Sequence, residues 1–237
     1  MIKVENIEAW GFEHAIRGIR NPYNSHDKSD SVVCLGSDFR HCKVGTRACP
    51  RKKDDFTGDI YCIGPNDLDL MRRLYKAGVE HRTYARMIQV SMDITAPLLW
   101  WREADRYSVG KTQISTSTMH SIHKKEFKME DFSNEHILDF LGFHDKARFR
   151  TCFIETIKNL NIARQLYLGT GDKQYWNAMI YMLPSSYNQL RTVEMSYEVV
   201  FKIIRERTGH KLDEWNDFVE ILKKLPYVRE IMEDGEK

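Results

Sequence analysis

The chain predicts an α+β fold, a small sheet packed by several helices. Three observations lead there. Apolar and polar residues alternate near the N-terminus and again around residue 90. Apolar residues then recur every three to four positions through most of the second half. Glycines and prolines cut that half into helix-length pieces. At 237 residues the chain predicts a single domain, 1–237, carrying a Cys-rich insertion or loop at about 32–64. With 36 basic against 34 acidic residues the net charge is only +2, so overall charge offers no drive toward nucleic acid. No apolar run approaches the roughly 20 residues of a membrane span. The start, Met1-Ile2-Lys3-Val4-Glu5, lacks an apolar leader, and the cysteine count of five is odd. Both features fit a cytoplasmic protein with reduced thiols.

The elements follow in order. Residues 2–10 alternate and predict a strand; residues 20–31 are a polar loop rich in turn formers. Residues 32–64 hold Cys34, Cys42, Cys49 and Cys62, none within four residues of another. A zinc knuckle needs such a pair, so ordinary reduced cysteines are expected and no metal. The basic run Arg51-Lys52-Lys53 in this stretch is followed by Asp54, Asp55 and Asp59, which argues against a nucleic-acid patch. A helix begins with Asn66 as cap, carries Leu68, Leu70, Met71, Leu74 and Tyr75, and ends at Gly78. Residues 84–91 predict a second strand. From Asp93 the pattern predicts helix, with Pro97 in its first turn. Gly110 and the segment Thr112 to Thr118 predict a hydroxyl-rich loop. Further helices are expected at 134–141, 146–168, 172–182, 186–207 and 212–224. The 146–168 helix shows Phe149, Cys152, Phe153, Ile157, Leu160, Ala163 and Leu166-Tyr167 on one face; the 186–207 helix shows Leu190, Val193, Tyr197, Val200, Phe201 and Ile204.

Candidate chemistry centres on Trp100-Trp101-Arg102-Glu103-Ala104-Asp105-Arg106-Tyr107. Arg102 and Arg106, four apart, share a helix face. The hydroxyl-rich loop that follows, Thr112 to His120, supplies the other donors a phosphate needs. Adjacent tryptophans stack on a planar ring or, more commonly, pack in a core. No GxGxxG, Walker or GxSxG pattern is present.

The order of these segments resembles the flavin-dependent thymidylate synthases, over about residues 66–120 and 177–215. Lys76-Ala77-Gly78-Val79-Glu80-His81-Arg82 resembles that family's Gly-His-x-Ser segment. Ala96 to Arg102 stands where the family's helix leads into an Arg-His-Arg triplet, and Gln113 to Thr118 stands where its Ser-x-Asn-x-x-Ser-x-Arg segment follows. Met182-Leu183-Pro184 resembles its Leu-Pro before a final long helix. Glu103 and Ala104 replace the His and second Arg of the triplet, and no Arg follows the serines.

The resemblance implies a mainly antiparallel sheet and an enzyme that methylates dUMP or transfers a related one-carbon unit to C5. It implies FAD, with methylenetetrahydrofolate and NADPH, a pyrimidine nucleotide as partner, and a homotetramer. Carried over by position, Arg102, Ser115, Thr116, Ser117, Arg205 and Arg207 would bind the nucleotide. His81, Arg82, Trp101, Glu103, Gln113 and His210 would serve the cofactor. The altered triplet leaves an alternative: a non-catalytic nucleotide-binding or oligomeric scaffold on the same fold.

Overall fold

The structure is a computed structural model, and it describes residues 2–34, 60–135 and 143–232. In chain order the elements are β1 (Lys3–Trp10), α1 (Phe12–Arg20), β2 (Val32–Cys34), β3 (Ile60–Cys62), α2 (Pro65–Ala77), β4 (Gln89–Pro97) and α3 (Leu98–Ala104). Then come β5 (Lys111–Ser115), the short α4 (Thr118–Ser121), α5 (Phe143–Thr170), α6 (Lys173–Met182), β6 (Asn188–Ser196), α7 (Tyr197–Arg207), α8 (Asp213–Leu222) and α9 (Val228–Met232). The result is α+β: a small antiparallel sheet, ordered β1-β4-β6-β5, with helices packed around it. Strands β2 and β3 form a separate antiparallel pair in which Val32 faces Cys62.

Two compact units emerge, each discontinuous in sequence. The first comprises residues 1–3, 94–106 and 114–191; the second comprises 4–93, 107–113 and 192–237. The core of the first is built on α5. Phe153, Ile157, Leu160 and Ala163 bury one helical stripe against Ile122, Phe127, Phe132 and Met179. Phe149, Cys152 and Leu166, expected on that stripe, are exposed instead.

In the second unit Phe12 meets Tyr197 and Tyr227 edge-on, and Tyr75 meets Phe201 the same way. Gly11, at φ +89°, makes the turn from β1 into α1, where any Cβ would run into the Met87 carbonyl oxygen. The buried Asp67 carboxylate holds the 20–31 loop. It accepts from Arg20 Nε (2.7 Å), Ser29 Oγ (2.7 Å), Ser31 Oγ (2.6 Å) and the Asp30 and Ser31 amides. Burial alone would raise the Asp67 pKa. Hydrogen bonds from Ser31, Ser29 and Arg20, with the Arg20 charge, outweigh it and hold the carboxyl below its ordinary range.

Several sequence expectations change. Asn66 does not cap α2. Gly64 takes the cap position, Pro65 opens the helix, and the Asp30 carboxylate accepts from the Asn66 and Asp67 amides at 2.9 and 3.2 Å. The strand expected at 84–91 runs from 89 to 97 and is preceded by a tight turn, Thr83–Arg86. Val90, Met92, Ile94 and Ala96 are buried while Gln89, Ser91, Asp93 and Thr95 are half-exposed, a two-residue period that displaces the helix expected from Asp93. Pro97 precedes α3 as its cap residue. Residues 111–115 are not loop but β5, the terminal strand in the sheet order, short and polar as an edge strand tends to be. The 186–207 helix splits: 188–196 is strand β6, and only 197–207 is helical. Leu190, expected in a helical stripe, is exposed. The expected 146–168, 172–182 and 212–224 helices are present as α5, α6 and α8. Cys42, Cys49, the basic run at 51–53 and most of the expected 134–141 helix lie outside the described residues.

Candidate functional site

In the first unit, strand β4 delivers α3 with its two tryptophans. Both are sealed, each 1% exposed, with ring centroids 4.8 Å apart and nearly perpendicular. They therefore follow the core-packing alternative, and Trp101 offers no open face for a flavin. Its indole Nε1 donates to the Gln189 carbonyl of β6 at 3.0 Å. The Gln189 side chain, in turn, donates to the Thr116 carbonyl (2.8 Å) and the Thr118 hydroxyl (3.3 Å). The Thr116 amide donates to the Leu190 carbonyl at 2.9 Å. The hydroxyl-rich segment is thus pinned to β6, and Ser115, Thr116 and Ser117 remain exposed. Ser117 also caps α4, its hydroxyl accepting from the His120 amide.

Arg191, which the sequence reading passed over, joins this corner. Its guanidinium lies 4.2 Å over the Trp101 ring, donates from Nε to Gln189 Oε1 at 3.0 Å and pairs from Nη1 with Asp105 at 2.8 Å. Gln189 and Arg191 are two apart on a strand and share a face. A helical reading of 186–207 hides that relation. Arg102 is exposed and Glu103 half-buried on α3.

The other expected residues lie in the second unit. Arg207 is half-buried at the end of α7. Its Nε donates to the Tyr107 hydroxyl (2.8 Å), its Nη1 meets His210 Nε2 (3.0 Å), and its plane lies 4.6 Å over Trp215. Tyr107 donates on to Glu206 at 2.9 Å. Burial, and the Glu206 acceptor, raise the Tyr107 phenol above its ordinary pKa; Arg207 opposes them. His210 Nδ1 accepts from the Leu212 amide. Arg207 and His210 therefore close the α7–α8 turn. Arg205 is exposed.

Arg82, 2% exposed, faces Glu198 at 3.7 Å and lies over Tyr75 at 5.0 Å. Arg82 therefore lies in the core of the second unit. His81 is exposed and Gln113 half-buried. The second unit also holds a cleft of about 420 Å³ whose lining includes Arg86, Gln89, Lys111, Thr112 and Glu194. Of these the sequence pointed only to Thr112, as part of the hydroxyl-rich loop.

No family profile matches the chain, and no curated protein matches it. Solved structures do. A flavin-dependent thymidylate synthase, ThyX, from Helicobacter pylori complexed with FAD and dUMP matches with a TM-score of 0.62 and 16% identity, covering 99% of this chain and 100% of that one. A second structure of that organism's ThyX with FAD and dUMP gives 0.60 and 13%, covering 98% and 100%. A UMP/dUMP methylase, PolB, from Streptomyces cacaoi bound with 5-Br dUMP gives 0.60 and 13%, covering 94% and 88%. The chain has the fold of these proteins over nearly its whole length, as the sequence resemblance implied. Among the described residues no helix is long and apolar enough to cross a membrane.

Proposed function

We propose that this chain, built on the flavin-dependent thymidylate synthase fold, binds a pyrimidine deoxynucleotide and takes part in its modification at C5. The observation that carries the reading is the corner of the first unit. There Trp101, Gln189, Thr116 and Thr118 are joined by hydrogen bonds, and three exposed hydroxyl residues are presented beside them. Hydroxyls held on a rigid frame suit a sugar or phosphate, because little side-chain freedom is lost on binding. Relatives in fold are complexed with dUMP or its bromo analogue, which supports the choice of ligand. Trp101 acts as the frame of this corner.

A reaction of this class uses FAD, methylenetetrahydrofolate and NADPH. Three of the side chains assigned to FAD by position are occupied within their own units. Trp101 and Arg82 are sealed, and His210 is engaged with Arg207 and the Leu212 amide. The same observation favours a second reading, a nucleotide-binding scaffold without turnover. As in the resemblance, the assembly expected for either reading is a homotetramer, which light scattering measures.

Purified protein tests the pair. Binding of dUMP seen as a raised melting temperature, flavin absorption bands, and folate-dependent tritium release from 5-labelled dUMP together support the enzyme. Binding of dUMP without colour or release supports the scaffold. A protein indifferent to dUMP, deoxyuridine and FAD ends both.

A further inference from the structure

We propose that Arg191 is the anion anchor of this chain, presenting its guanidinium to the phosphate of a nucleoside monophosphate. The proposal rests on the nucleotide-binding reading above for the identity of the ligand, though not for the anchor itself.

A guanidinium carries five N–H groups in one plane. Among the described residues, Arg191 spends two of them, one on Gln189 and one on Asp105. The side chain is only 13% exposed, so the remaining donors sit on a group largely withdrawn from water. Yet no Arg191 nitrogen is among the buried polar atoms lacking a partner. Nη2, which has no hydrogen-bond partner among the described residues, is therefore reached by solvent.

Orientation comes next. Trp101 beneath the plane, at 4.2 Å, fixes the tilt of the guanidinium. Gln189 and Asp105 at two of its nitrogens fix its rotation within that plane. An arginine held from three sides loses little freedom when an oxyanion docks on its open edge. The planar fork matches two oxygens of a phosphate, a geometry that a lysine lacks. Asp105 balances the charge while no anion is bound, and it is itself 45% exposed, so bulk water screens its repulsion toward an incoming phosphate.

Thr116 is bonded to Leu190, next in sequence to Arg191, so the exposed hydroxyls of residues 115–117 border the same strand. Arg207, which is also held over a tryptophan, is engaged with Tyr107 and His210 instead.

The test is calorimetric titration of the full chain with dUMP, deoxyuridine and inorganic phosphate, in the wild type, Arg191→Gln and Arg191→Lys. The wild type is expected to prefer dUMP to deoxyuridine by about 30-fold or more, and Arg191→Gln to bring the two within about threefold. Arg191→Lys keeps the charge and loses the fork, so an intermediate preference is expected. If Arg191→Gln folds, by its melting curve, and keeps the preference for dUMP, the anchor is overturned while nucleotide binding stands. If Arg191→Gln does not fold, Arg191→Lys decides: an undiminished preference overturns the anchor. If the wild type binds neither dUMP nor deoxyuridine, the nucleotide reading falls. Saturable phosphate binding that Arg191→Gln or Arg191→Lys weakens then upholds the anchor for another phosphate ester, and its absence overturns that too.

Discussion

Among the described residues two arginines lie over tryptophans, and their surroundings differ. Arg207, over Trp215, has its nitrogens on Tyr107 and His210 and ties the end of α7 to the start of α8. Arg191, over Trp101, is held by Gln189 and Asp105 beside a segment of exposed hydroxyls. One guanidinium closes a turn. The other keeps donors toward solvent. Aromatic stacking therefore does not by itself mark a binding residue; what matters is where the remaining donors go.

The comparison breaks most visibly at its aromatic floors. Trp215→Ala is expected to cost about 3–5 kcal/mol in denaturant unfolding, because a fully buried indole leaves a cavity. Trp101→Ala should cost a similar amount and also weaken dUMP binding. Equal loss of dUMP binding in both variants would erase the distinction.

Arg20 adds a third case, an arginine buried against Asp67. Asp67→Ala is expected to cost about 3–5 kcal/mol, since it strands that charge. The Asp67 pKa is depressed in the folded chain, against an ordinary value near about 3.9. Its contribution is therefore present above the ordinary value and is lost as pH falls through the folded one. Acid unfolding of the wild type should steepen in that range, and a variant lacking Asp67 should show a flatter acid limb.

Arg207→Ala should cost about 1–3 kcal/mol through its stacking and hydrogen bonds, with dUMP affinity unchanged. Arg205→Ala, at an exposed position on the same helix, should stay within about 0.5 kcal/mol and leave binding alone. A large loss of dUMP binding in Arg205→Ala would move the anchor to α7.

Much of the fold was legible. The first strand, α2 ending at Gly78, and the helices at 143–170, 173–182 and 213–222 follow from periodicity and punctuation. Residues 188–196 were not legible. Leu190, Val193 and Tyr197 fit a helical stripe as well as a strand running into a helix, and only pairing within the sheet separates the two. The same ambiguity hid the site. Gln189 and Arg191 face one way only in a strand, so a helical assignment scatters them. Gln113 to Thr118 was recognisable as hydroxyl-rich, but its attachment to β6 was not.

The sequence alone determined the fold class, most helix positions and the resemblance to flavin-dependent thymidylate synthases, because these depend on local period and on the order of segments. Tertiary structure decided which polar side chains were consumed internally and which kept donors outward. That choice depends on partners far apart in the chain, such as Trp101 with Gln189, Asp105 with Arg191 and Tyr107 with Arg207. Hydrogen-bond saturation is a property of neighbours in space, and no reading of local spacing supplies it.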